Sequence, residues 1–93
     1  MEHEYMKVAR EAVVKYYNDR LDRELSYKDR LSYNETFIVW FSKTLQNWKA
    51  LVSTTLSDGM YFELTYNGDK DVIYLDAYKK AENVEIWGEE LWD

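Results

Sequence analysis

Between residues 37 and 80 apolar and polar side chains largely alternate, and the run is broken three times by turn residues. A period of two with such punctuation predicts β-strands joined by tight hairpins. The strands fall at about residues 37–45, 48–56, 60–66 and 71–79. All four are rich in β-branched and aromatic residues, which suit a pleated, half-buried surface. Ahead of them the period changes. Met6, Ala9, Val13, Tyr16, Tyr17 and Leu21 recur at helical spacing within residues 4–23, which predicts a helix with one apolar stripe. Lys7, Arg10, Glu11, Lys15, Asp19 and Asp22 fill its solvated side, and Glu11 and Lys15 stand in the favourable order for an ion pair four residues apart. The predicted fold is α+β: one N-terminal helix packed on a four-stranded antiparallel β-meander, with a short acidic C-terminal tail.

The turns predict the register. Ser57-Asp58-Gly59 suits a three-residue hairpin whose last residue is left-handed, a conformation that glycine adopts without steric penalty. That turn pairs Leu56 with Met60, Thr54 with Phe62, Val52 with Leu64 and Ala50 with Tyr66. Asn67-Gly68-Asp69-Lys70 allows a two-residue loop, pairing Phe62 with Ile73, or a four-residue loop, pairing Leu64 with Ile73 and Phe62 with Leu75. The two options share a parity, so both send the same side chains to the same face. A turn at Gln46-Asn47 pairs Phe41 with Val52 and Val39 with Thr54. The expected inner face holds Phe37, Val39, Phe41, Ala50, Val52, Leu56, Met60, Phe62, Leu64, Ile73, Leu75 and Ala77. The expected outer face holds Ile38, Trp40, Leu51, Tyr61, Tyr74 and Tyr78, with Glu63 and Asp76 among them. A solvated sheet face is ordinarily polar, and this one carries four aromatics.

Residues 24–35 lose the pattern, although Ser32-Tyr33-Asn34-Glu35 has the spacing of a capping box opening one helical turn. After the last strand, residues 81–93 mix Val84, Ile86, Trp87, Leu91 and Trp92 with Glu82, Glu85, Glu89, Glu90 and Asp93. Two expectations stand for this segment. Val84 and Ile86 continue the last strand or pack on the sheet, or the segment docks as an acidic–aromatic strip in a basic groove of a partner.

Composition narrows the function. Ninety-three residues fit one domain. Cysteine is absent, which excludes a disulfide framework and thiolate metal sites. No apolar run approaches the roughly 20 residues of a membrane span, and Met1-Glu2-His3-Glu4 lacks the basic start and apolar core of a signal peptide. The net charge of −6 is unevenly placed: residues 1–80 hold 12 basic and 13 acidic side chains, and residues 81–93 hold five acidic and no basic ones. A nucleic-acid binder needs a basic footprint, and none is visible.

Catalytic chemistry is sparse. The only histidine is His3, the third residue. Gly59, Gly68 and Gly88 are isolated, so no glycine-rich loop cradles phosphate. Glu63 and Asp76 share a face, and paired carboxylates perform acid–base work when their environments differ; on an open face they read as solvated strand carboxylates. Asp69 and Asp71 flank a hairpin turn, and calcium loops need more oxygen ligands at defined steps.

Several strings occur together: Lys43-Thr44-Leu45-Gln46-Asn47, Lys49-Ala50-Leu51, Ser57-Asp58-Gly59-Met60-Tyr61, Thr65-Tyr66-Asn67-Gly68-Asp69-Lys70 and Tyr74-Leu75-Asp76-Ala77-Tyr78-Lys79-Lys80. In this combination, over roughly residues 8–83, the chain resembles a family of small phage and prophage proteins of Gram-positive bacteria, a domain of unknown function. The resemblance implies a phage gene product working in the bacterial host cytoplasm and transfers no activity or catalytic residue. The acidic end after Asn83 is longer than the resemblance predicts, and nothing about it is carried over.

The expectation is a non-enzymatic phage-encoded accessory protein that binds a host or phage protein. By analogy it is an acidic inhibitor of nucleic-acid or defence machinery, of the anti-CRISPR type. The alternative is a structural or assembly protein that self-associates as a homodimer through the outer sheet face. The candidate binding residues are Trp40, Tyr61, Glu63, Tyr74, Asp76 and Tyr78 on that face, and Trp87, Glu89, Glu90 and Trp92 in the tail. No cofactor, metal, membrane or direct nucleic-acid partner is expected.

Overall fold

The structure is a computed structural model, which describes residues 4–20 and 31–91. Helix α1 (Glu4–Asp19) precedes a 3-10 turn (Tyr33–Glu35) and four strands, β1 (Thr36–Thr44), β2 (Asn47–Thr54), β3 (Met60–Asn67) and β4 (Val72–Lys79). A short helix α2 (Gly88–Leu91) follows. The strands form one antiparallel sheet in the order β1-β2-β3-β4, the predicted meander.

Helix α1 lies against β1 and β2. Ala9 and Val13 are fully buried, with Tyr5, Val8, Ala12, Val14, Tyr16 and Tyr17 packed beside them. They meet Ala50, Val52, Phe62 and Leu64 from the sheet, and the Tyr16 ring meets Phe62 edge-on at 5.6 Å. The described helix stops at Asp19, short of the predicted end, and Leu21 lies outside the described residues. Lys7–Glu11 and Lys15–Asp19 are exposed ion pairs four residues apart, each contributing a few tenths of a kcal/mol at about 0.3–0.5.

Arg10 departs from its expected place on the solvated side. It is half-buried and fastens the helix to the start of the sheet. Its Nε donates to Thr36 Oγ1 at 2.9 Å, its Nη2 donates to the Tyr33 carbonyl at 3.1 Å, and its guanidinium lies 3.9 Å from the Tyr33 ring centre. Arginine does this because a planar fork on a long apolar stem can stack and donate at once. Asn18 makes a second fastening: its side-chain amide both donates to and accepts from the backbone of Leu31, which is buried in the core. The predicted capping turn forms at Ser32, whose N–H donates to the Glu35 carboxylate at 2.9 Å.

The hairpin registers differ from prediction by two residues across β2–β3, and by two or four across β3–β4 for the four- and two-residue loop options, and keep their parity. Val52 faces Phe62 and Ala50 faces Leu64 across β2–β3; Leu64 faces Leu75 and Phe62 faces Ala77 across β3–β4. Residues 55–59 make a longer loop than the three-residue turn predicted. Asp58 Oδ1 accepts from the Met60 N–H, and Gly59 is left-handed at φ 72°, as its place in the turn predicts. An even shift cannot move a side chain to the other face, so Phe41, Ala50, Val52, Phe62, Leu64, Ile73 and Leu75 all reach the core cluster as expected.

Strand β1 does not keep its parity. The register slips between Ile38 and Trp40, so that Ile38 faces Val52 while Trp40 faces Leu51. Val39 is the extra residue of a β-bulge, which rotates everything before it by one position. Ile38 therefore packs on the core, against the expectation that placed it outside. Phe37 and Val39, expected inside, are 45% and 51% exposed. Ala77 shares the inner face by register but is exposed, because β4 is the edge strand furthest from the helix-covered pair. The predicted continuation of β4 through Val84 and Ile86 is also overturned. Met60 faces Lys79, and β3 starts there, so residues past Lys80 have no strand opposite them. Val84 and Ile86 are 62% and 64% exposed.

Candidate protein-binding face

Antiparallel partners stand on the same face, so the registers arrange the outer surface in rows. One row runs Phe37, Ser53, Tyr61, Tyr78, and the next runs Trp40, Leu51, Glu63, Asp76. A third runs Ser42, Lys49, Thr65, Tyr74. The aromatic character is concentrated towards the end of the sheet where β3 begins. There the Tyr61 and Tyr78 rings stack with centroids 5.3 Å apart and planes 20° from parallel. Trp40, Tyr61, Tyr74 and Tyr78 are each between 37% and 49% exposed, on the side of the sheet that α1 leaves uncovered.

The bulge enlarges this surface. By turning Phe37 and Val39 outwards it adds apolar area next to Trp40, which the uninterrupted alternation did not anticipate. The signal was present in the chain: Phe37-Ile38-Val39-Trp40-Phe41 is five apolar residues in a row, where a one-sided strand alternates. Lys49 was likewise not anticipated. Its ammonium reaches the Glu63 carboxylate at 3.1 Å, diagonally across β2 and β3. Glu63 and Asp76 stand directly opposite each other, and like charges so placed repel. Lys49 offsets that repulsion and holds Glu63 in place.

Beside Trp40 the outer surface dips into an open trough of about 560 Å³ lined by Ser42, Thr44, Lys49, Thr65 and Asn67 among others. It offers an apolar wall, one ammonium and several hydroxyl and amide groups. A second hollow of about 300 Å³, between α1 and the sheet end, is lined by Tyr5, Val8, Trp48, Tyr66, Asp71 and Ile73. Trp48 is buried there among Tyr5, Phe41 and Tyr66 rings, and among the described residues its indole N–H has no hydrogen-bond partner. The Tyr66 hydroxyl donates to Asp71 at 2.8 Å, and that bond, with the nearby carboxylate charge, pushes the phenol above its ordinary pKa.

The remaining candidates sit apart from the sheet. Trp87 precedes α2, and Glu89 and Glu90 lie within it; every described residue after Lys80 is exposed. Trp92 lies outside the described residues, as does His3. The structure thus gathers Trp40, Tyr61, Glu63, Tyr74, Asp76 and Tyr78 on one face and leaves Trp87, Glu89 and Glu90 on a separate segment. Among the described residues no group of three or more histidine, aspartate or glutamate side chains is placed to hold a metal ion, and no helix is long and apolar enough to cross a membrane.

No curated protein and no solved structure matches the chain significantly. A protein family does: residues 6–87, which run from α1 through the meander to Trp87, match the family of unknown function DUF6275, and the chain belongs to that family.

Proposed function

We propose that this protein is a non-enzymatic binding module whose outer sheet face holds another protein. The observation that carries the reading is the exposed aromatic surface of Phe37, Trp40, Tyr61, Tyr74 and Tyr78 on a hydrogen-bonded sheet, opposite the helix. Large exposed apolar patches mark interaction sites, and tryptophan and tyrosine dominate binding hot spots. Glu63, Lys49 and Asp76 among the rings suit a wet interface with charge-assisted contacts. The resemblance of the chain's hairpin strings to phage and prophage proteins supports a phage-encoded accessory role in the bacterial cytoplasm. The net charge of −6 supports an anti-defence or anti-nucleic-acid-machinery inhibitor, whose carboxylates take the place of phosphates on a basic surface.

The test compares association and folding on the same variants. Wild type, Trp40→Ala and Tyr74→Ala are used to capture partners from a bacterial lysate, and each variant's unfolding free energy is measured. Each substitution is expected to weaken capture by about 2 kcal/mol or more and to leave folding nearly unchanged. If Tyr74→Ala lowers stability by several kcal/mol and leaves capture intact, the face is internal and the reading is wrong.

A further inference from the structure

We propose that the outer face is covered by the segment following β4 of a second copy, two chains exchanging these segments to form a dimer. The inference rests on the binding-face reading above and names its occupant.

The segment leaves the sheet at a fixed point. The Lys80 N–H donates to the Gly59 carbonyl at 2.7 Å, and β3 offers no residue beyond Met60 for further pairing. From there Val84, Ile86, Trp87 and Leu91 are 61–64% exposed. Asn83 is the turn-favouring residue between Lys80 and Gly88, yet every described residue after Lys80 is exposed, so the segment does not fold back onto its own sheet. Extended, residues 81–87 reach about 23 Å. Four strands span only about 14 Å from first to last, so the segment is long enough to cross a neighbouring sheet.

Its pattern fits that surface. In an extended chain Val84 and Ile86 point to one side, and Glu85 and Trp87 to the other. The apolar side can rest on the rows of Phe37, Tyr61 and Trp40, with Glu85 in water. A narrow strand also leaves Glu63 and Asp76 at its margin, still hydrated. Stacking sheet on sheet would enclose these carboxylates from both copies, against one Lys49 from each, and buried charge without full pairing is unfavourable. Area points the same way. Four strands of eight residues present a flat footprint of roughly 500 Å², whereas a stable complex takes about 800 Å² from each partner. Exchange adds the segment as a second buried patch on each chain, within one two-fold operation.

Light scattering after size-exclusion chromatography reads the mass of the full chain and of a chain ending at Lys80. The full chain is expected at the mass of two copies, the shortened chain at one copy with an unchanged unfolding midpoint. Should the shortened chain unfold, Ile86→Ser in the full chain replaces it and is expected to weaken the dimer at least tenfold. The chain has no cysteine, so single thiols report contact directly: Ser53→Cys mixed with Val84→Cys is expected to give a disulfide-linked pair on mild oxidation. A one-copy mass for the full chain overturns the inference, as does a dimer that survives loss of the segment. A Ser53→Cys, Val84→Cys double variant that closes within one chain overturns it too. If the full chain is monomeric while Trp40→Ala still abolishes capture from lysate, the exchange is wrong and the binding face stands.

Discussion

Gly68 sits where two hairpin turns touch. A Cβ built on it would overlap the Gln46 backbone carbonyl and side chain. The same contact is laced by hydrogen bonds: the Gly68 N–H donates to Asn47 Oδ1 at 2.9 Å, and the Gln46 amide donates to Asp69. Because backbone occupies the space, a side chain cannot simply swing aside. Gly68→Ala is therefore expected to destabilise the protein by about 1–3 kcal/mol, the range for forced overpacking, measured by denaturant unfolding. An unchanged midpoint would mean that the two turns part easily. Gly59 has a different constraint, since its left-handed φ of 72° penalises any Cβ whatever the free space.

Among the elements, the β2–β3 loop is tied to the helix by a polar contact that ionises. The Tyr17 hydroxyl donates to Asp58 at 3.0 Å. Partial burial, this bond and the Asp58 charge all raise the Tyr17 pKa above its ordinary 10.0. The folded state thus holds the phenolic proton more tightly than the unfolded state. The stabilisation is complete below the unfolded pKa and disappears as pH rises through the folded one. Unfolding free energy should therefore decline above about pH 10, and Tyr17→Phe should flatten that part of the decline. At neutral pH the same substitution should cost about 0.5 kcal/mol, the low end for a hydrogen bond, because the site is half-exposed. An alkaline profile identical in the two proteins would show that the contact does not persist in solution.

At the scale of the whole molecule, the two sheet faces have opposite roles. The inner face meets α1 through Ala9 and Val13, both without exposed surface. Val13→Asp places a carboxylate among Ala50, Val52 and Phe62 and forces either an unpaired charge or protonation. Its expected cost is several kcal/mol, enough to unfold a domain of marginal stability. Circular dichroism during thermal unfolding checks it, and a midpoint equal to wild type would contradict the two-layer architecture. Trp40→Ala on the other face is expected to do the reverse, sparing the fold and removing association.

Helix, meander and strand parity were legible in the chain because they follow from local rules. A period of two and a glycine in a turn specify which side chains share a face, and an even register error leaves that assignment intact. Val39 shows where local rules stop. Whether an unbroken apolar run is a straight strand or a bulged one depends on which alternative buries better against β2 and α1, and here Ile38 went inside and Phe37 outside. Arg10 shows the same limit. As a helix residue it reads as solvated, and only the return of Tyr33 and Thr36 to the helix surface gave it partners; Asn18, to which the helical period assigned no role, finds its partner in Leu31. For Val84 and Ile86, alternation alone suggested a longer β4, but a strand needs a neighbour, and β3 begins at Met60. Local pattern thus determined helix α1, the four strands and the face of most strand residues, but not the short helix α2. Tertiary contacts decided the bulge, the side-chain fastenings and the end of the sheet, because each depends on a partner distant in sequence.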